Sequence, residues 1–219
     1  MTRLCRVSGC CASASSRYSI YCTTHKARLR RHGAVDQQGI TKGDLKPYLR
    51  LVQARVEKNQ ESPLWPQLEA RLAALADHAR SLLAYRGAMS RHERIAAKEV
   101  VKLSDAVAPW EIVQTTLALV IMQELQPRRF KTDRAFRTQL VRRVRGLTDL
   151  NAGSWFDHQT GKTKRAYKEL TPRAAAVIAQ WLADAFGGAG LHLAKLEQTE
   201  ADKKQQEQQA IHASLSQLT

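Results

Sequence analysis

The chain has four cysteines, Cys5, Cys10, Cys11 and Cys22, all within its first 22 residues. His25 follows Cys22 by three positions. Thiolate and imidazole are electron-rich donors, and three of the first with one of the second make the closed tetrahedral shell of a structural zinc site. The spacing is C-x4-C, an eleven-residue spacer, then C-x2-H. A disulfide framework would spread its cysteines through a small secreted domain. Four thiols crowded at one end of a 219-residue chain read as metal ligands instead. The expected quartet is Cys5, Cys10, Cys22 and His25, holding Zn2+. Two substitutions stay open. Cys11 could replace Cys10, although Gly9 favours Cys10, because a knuckle needs a residue tolerant of positive φ. His32 lies seven residues after His25, on the same helical face, and could replace it.

These donors need elements to hold them. Gly9-Cys10 predicts a knuckle, Ser13 to Tyr21 a short hairpin, and Cys22 onward a helix that ends at a Gly33 C-cap. Together they describe a small treble-clef-like finger over residues 1–40. A metal would supply the stability that so short a unit lacks. Leu29 falls on the ligand face of that helix. Lys26, Arg28, Arg30 and Arg31 lie beside or opposite it, so the finger presents a positive surface suited to a groove or to phosphates.

The string Cys5-x-Val7-x-Gly9-Cys10, then Tyr21-Cys22-x-x-His25-x-x-Arg28-x-Arg30-Arg31-His32-Gly33, resembles a three-cysteine, one-histidine segment of bacteriophage and mobile-element proteins. Many of those are described as HNH-endonuclease-like. The resemblance covers about 30 residues of the chain. It implies a zinc-bound DNA-binding finger in a mobile-element setting. It does not bring nuclease activity with it, because nuclease members set further histidine and asparagine residues around a catalytic metal and no equivalent is found here. Cys11 also departs from the pattern.

The charge of the whole chain points the same way. Lys and Arg total 35 against 20 Asp and Glu, a net +15. Residues 1–60 carry net +9 and residues 126–170 net +8, whereas 61–125 and 171–219 each carry net −1. Two separated basic blocks call for a polyanion partner more strongly than a uniform surplus does. With 43% hydrophobic residues, the chain has enough apolar surface to bury a core. The longest apolar runs, Leu117 to Met122 and Ala174 to Ala179, fall far short of the ~20 residues of a membrane span. No apolar leader follows Met1. The expectation is a cytoplasmic, nucleoid-associated protein with no membrane contact.

The fold class expected is mainly α: the finger, a helical middle, and a winged-helix-like C-terminal unit with one β-hairpin. The segments expected are 1–40 (finger), 41–108 (helical scaffold or linker), 109–196 (basic winged-helix-like domain) and 197–219 (polar helical or disordered tail). Asp44 is read as the cap of the first scaffold helix. Leu45, Leu49, Val52 and Val56 give that helix its apolar spacing. Ser90 and Glu93 match a capping box, and Pro109 opens a further helix. His78 and His92 are isolated, and the middle holds no catalytic constellation.

In the second basic block, Thr132 or Asp133 caps a helix running to about Leu147, with Phe136, Leu140, Val144 and Leu147 as its apolar stripe. Arg134, Thr138, Arg142 and Arg145 recur at i, i+4, i+8 and i+11 on the other side, flanked by Arg137 and Arg143. Such an arginine stripe fits guanine edges or phosphates. Trp155, Phe156 and Tyr167 flank Gln159-Thr160-Gly161 and predict a hairpin whose returning strand carries Lys162, Lys164 and Arg165. Its aromatics are read first as anchors onto the helices, and second as platforms for unpaired bases. Gly161-Lys162-Thr163 lacks the earlier glycine and following helix of a phosphate-binding loop. Asp157-His158 is better explained as turn residues than as a nuclease pair. The last helix is read as opening at Thr171-Pro172 and ending at Gly187-Gly188. Ile211, Leu215 and Leu218 in the tail could bind a protein partner, although a solvated helix is the simpler reading.

The function expected is therefore a zinc-containing, non-enzymatic binder of nucleic acid, duplex DNA first, serving a phage or mobile element as regulator or recombination accessory factor. An HNH-like nuclease and an RNA-binding or protein-bridging factor are the alternatives.

Overall fold

The structure is a computed structural model that describes residues 3–216, with side chains except those of Arg165 and residues 213–216. It is mainly helical, with a small antiparallel sheet. Among the described residues seven α-helices run in chain order: α1 (Thr23–His32), α2 (Lys42–Lys58), α3 (Leu64–Ala84), α4 (Arg91–Ala106), α5 (Pro109–Leu125), α6 (Asp133–Arg145) and α7 (Pro172–Ser216). Strands β1 (Ala152–Asp157) and β2 (Lys162–Tyr167) form one hairpin between α6 and α7.

The helices begin where local chemistry allows it. Thr41 caps α2 and shares a capping box with Asp44, which sits at the third helical position rather than serving as the cap itself. Ser90 and Glu93 form the expected box for α4. Pro109 stands at the start of α5, where its missing N–H costs nothing. Thr132 caps α6 through the Ala135 N–H, and Thr171 caps α7 through the Ala174 N–H.

Helix α5 is the centre. Ile112, Val113 and every residue from Thr115 to Met122 are buried, so it is wrapped on all sides. Helices α2, α3, α6 and α7 pack around it, and α4 packs on α3 and α7. One hydrophobic core runs from Ile40 to Ala194 and draws on both the 41–108 and the 109–196 segments.

Helix α7 does not stop at Gly187-Gly188. It continues without interruption to Ser216. Each glycine costs a helix about 1 kcal/mol relative to alanine. Burial on both sides of the pair outweighs that cost: Phe186 before it and Leu193 and Ala194 after it are all in the core. Gly190 is a packing contact, since a Cβ there would lie 2.7 Å from Val120 Cβ. Further on, Glu197 and Glu200 clasp the buried Arg55 of α2 at 2.5 and 2.6 Å. By length and composition the 172–212 stretch is the one described helix that would pass for a membrane span, although 39% of its apolar window is buried inside the fold. Ile211 is exposed, and the side chains of Leu215 and Leu218 lie outside the described residues.

Candidate metal centre and basic surface

Cys5, Cys10, Cys22 and His25 come together, with all four donor atoms within 4.8 Å of one another. Cys10 Sγ lies 3.9 Å from Cys22 Sγ. His25 Nδ1 lies 3.4 Å from Cys5 Sγ and 3.3 Å from Cys22 Sγ. Tetrahedral bonds of ~2.3 Å to sulfur and ~2.0 Å to nitrogen place donors roughly 3.5–3.8 Å apart, so this shell has the dimensions of a metal site.

The local chain explains the placement. Gly9 adopts φ +76°, and the Cys10 N–H turns back to the Val7 carbonyl at 3.0 Å, forming the knuckle. Cys22 is the N-cap of α1, its sulfur accepting from the His25 N–H. The expected hairpin over 13–21 does not form. Ser13 instead bridges back to Leu4, and the loop is closed by Ser15 N–H to the Tyr21 carbonyl and tightened by Ser19 N–H to the Ser16 carbonyl. The run of serines there offers side-chain bonds that compete with a ladder, as Ser19 does with Tyr21. Cys11 is exposed and outside the cluster. His32 is held elsewhere, so neither open substitution is taken up.

The thiols already show what they need. Burial opposes ionisation of Cys5, but hydrogen bonds from the Cys22 and Val7 backbone and from His25 bring its pKa down to about 6. At Cys10 the Ala12 backbone bond pulls downward, while burial and the neighbouring Cys5 and Cys22 sulfurs push the thiol up. Three sulfurs this close cannot all ionise unless a cation sits among them. The donor set therefore fits a divalent ion.

The segment that carries the donor cluster is joined to the body at α6. Gly33, at φ +89°, ends α1 against that helix: a Cβ there would lie 2.7 Å from Ala135 Cα and from the Arg134 carbonyl. The orphan carbonyls of the α1 C-terminus are then satisfied by α6 side chains. Gln139 Nε2 donates to the His32 carbonyl at 3.3 Å, and Arg142 Nη1 to the Arg31 carbonyl at 3.2 Å. Gln139 also donates to His32 Nδ1 at 3.2 Å and accepts from the Ile40 N–H at 3.0 Å. Arg143 Nη1 donates to the Ile40 carbonyl. Gln37, buried, bonds the Arg129 carbonyl and the Lys131 N–H. Sequence reasoning missed Gln37 and Gln139. A buried glutamine whose partners lie 92 to 107 residues away leaves no local signal.

The two basic blocks thus meet. Arg30 and Arg31 of α1, Arg134, Arg142 and Arg143 of α6, and Lys168 after β2 line one cavity of about 270 Å3, with Glu169 its single carboxylate. Lys26, Arg28, Arg30 and Arg134 are exposed, and Thr138 is half-buried, its hydroxyl donating to the Arg134 carbonyl. Glu169 bridges Arg31 at 2.8 Å and Arg142 at 3.4 Å.

Arg145 is not part of an exposed stripe. It is 8% exposed, bonded to Glu99 at 2.9 Å and to the Lys168 carbonyl. Its helical position matches the stripe, but the chain returning from β2 and helix α4 close over the last turn of α6. The hairpin aromatics are not anchors: Trp155 is 52%, Phe156 53% and Tyr167 49% exposed. Polar contacts tie the base of the hairpin instead, with Lys102 donating to the Leu150 carbonyl and Asn151 Oδ1, and the Lys168 N–H bonding Asn151. The strands reach out as a ribbon with a Gly161 turn at φ +62°. Lys162 and Lys164 are exposed on it, and Lys164 pairs with Asp157. Arg165 lies on β2, its side chain outside the described residues.

Comparison with protein families, curated proteins and solved structures finds no match to this chain.

Proposed function

We propose that the chain is a zinc-containing nucleic-acid-binding protein that engages duplex DNA. The observation that carries this reading is the convergence of the two basic blocks: cations separated by more than 100 residues line one cavity around a single carboxylate. A polyanion is the partner that such a surface selects, and its phosphates would release counterions on docking. Zinc in the Cys5, Cys10, Cys22 and His25 shell would hold α1 in the position from which Lys26, Arg28 and Arg30 contact the backbone. The order α5, α6, hairpin is that of a winged helix. In this reading α6 works through Arg134, Arg137 and Thr138, beside the cavity cations, and not through Arg145, which is covered. A regulator or recombination accessory factor of a phage or mobile element is the role such a module would serve.

A second reading, binding of unpaired strands or RNA, is favoured by the exposed Trp155, Phe156 and Tyr167, which offer stacking faces. Competition of the zinc-loaded protein between duplex DNA, single-stranded DNA and structured RNA separates the two. Preference for duplex supports the first, and preference for single strands or RNA replaces it with the second.

A further inference from the structure

The cavity beside Glu169 is more than part of a charged face. It is enclosed by the end of α1, α6, the chain after β2 and the start of α7. Its walls are of two kinds. Leu29, Val141 and Leu170 are apolar, and Tyr167 contributes an aromatic ring. The same lining carries the guanidinium groups of Arg31, Arg142 and Arg143, which outnumber its one carboxylate. Burial lowers the pKa of Arg142, with Arg31 adding repulsion and Glu169 partly offsetting both. Burial lowers that of Arg143 as well. Glu169 is the only carboxylate there, and it touches both Arg31 and Arg142. At about 270 Å3 the cavity sits just below the roughly 300 Å3 at which small-ligand pockets begin. That size is on the scale of one small ligand.

Arg134, Thr138 and Pro172 also line an open groove of about 720 Å3 that carries Arg137, Arg173 and His92. The two spaces therefore share a border.

We propose that this cavity is a binding site for a single nucleoside phosphate, whose phosphate takes the place of the Glu169 carboxylate between Arg31 and Arg142 while its base lies among Leu29, Leu170 and Tyr167. Glu169 is a carboxylate stand-in that offsets part of the charge of the arginine pair until the ligand arrives. The nucleotide comes either from a strand, as an unpaired residue, or free from solution. The first source rests on the nucleic-acid reading above; the second does not.

Calorimetric titration of the zinc-loaded full chain tests this with three probes: a fully paired duplex, the same duplex with one bulged nucleotide, and adenosine monophosphate, with inorganic phosphate as control. Glu169→Gln and Arg142→Ala act in opposite directions on one ion pair, so a mere loss of fold cannot imitate both. The site predicts that Arg142→Ala weakens the preferred probe about tenfold or more, whereas Glu169→Gln tightens it. Tighter binding of the bulged than of the paired duplex, with that pattern, assigns the strand as source. Binding of the mononucleotide with that pattern, and of neither duplex, keeps the site but removes the nucleic-acid reading. Equal binding of paired and bulged duplex, indifferent to Glu169→Gln, with no mononucleotide binding, overturns the site and leaves the basic-surface reading standing.

Discussion

At the scale of single residues, the metal shell is the sharpest commitment. Cys22→Ser or His25→Ala should abolish bound zinc and unfold residues 3–32 while the far-ultraviolet helical signal of the core persists. Cys11→Ser should keep one zinc per chain, because Cys11 lies outside the cluster; elemental analysis of purified protein decides both. Gly33→Ala should destabilise the α1–α6 junction by at least about 1–2 kcal/mol, because alanine would be strained at φ +89° and its Cβ would strike Ala135. His32 gives a pH signature. Burial, then Arg142 and Arg31, hold its pKa below 6.5, and the Gln139 amide needs a neutral Nδ1. The unfolded chain takes up its proton near 6.5, so this contribution is complete above that pH and is lost as pH falls through the lower folded value. A melting series between about pH 7 and 5 should show a shallower drop for His32→Gln than for the parent. The ligand shell was legible in the sequence because zinc chemistry writes itself in short spacings. Glu169, Gln139 and Gln37 were not, because each acts on partners that only the tertiary fold brings near.

At the scale of elements, caps and prolines marked most helix starts correctly, since an N-terminus is a local event: Thr132 for α6, Ser90 for α4, Pro109 for α5 and Thr171 for α7. Ends were less legible. Gly187-Gly188 looked like a stop, yet burial against α5 carries α7 through it. The glycines of α7 should therefore respond oppositely. Gly188→Ala meets open space and should stabilise by about 0.5–1 kcal/mol, whereas Gly190→Ala drives a Cβ into Val120 and should destabilise. Urea unfolding of the two variants shows the sign directly. The hairpin reads the same way: its turn was legible from Gln159-Thr160-Gly161, but its exposure was not. Nothing in an aromatic's identity says whether it faces a helix or water.

At the scale of the whole molecule, the two charged blocks are separate in the sequence. The fold joins them instead, through Gly33 and Gln139, into one surface beside a ribbon that projects from the body. With α1 fixed to α6, the two helices would bind as one unit. Loss of zinc should then weaken contacts made by α1 and α6 together. The most direct test is the salt dependence of duplex binding for the parent protein, for Arg28→Ala with Arg30→Ala, and for Arg134→Ala with Arg137→Ala. One joined surface predicts a steep negative slope of log affinity against log salt for the parent. Each double variant should reduce it by up to about 2 units, at roughly 0.9 per lost phosphate contact. A parent slope near zero, or a slope unmoved by the finger pair or the α6 pair, would contradict it.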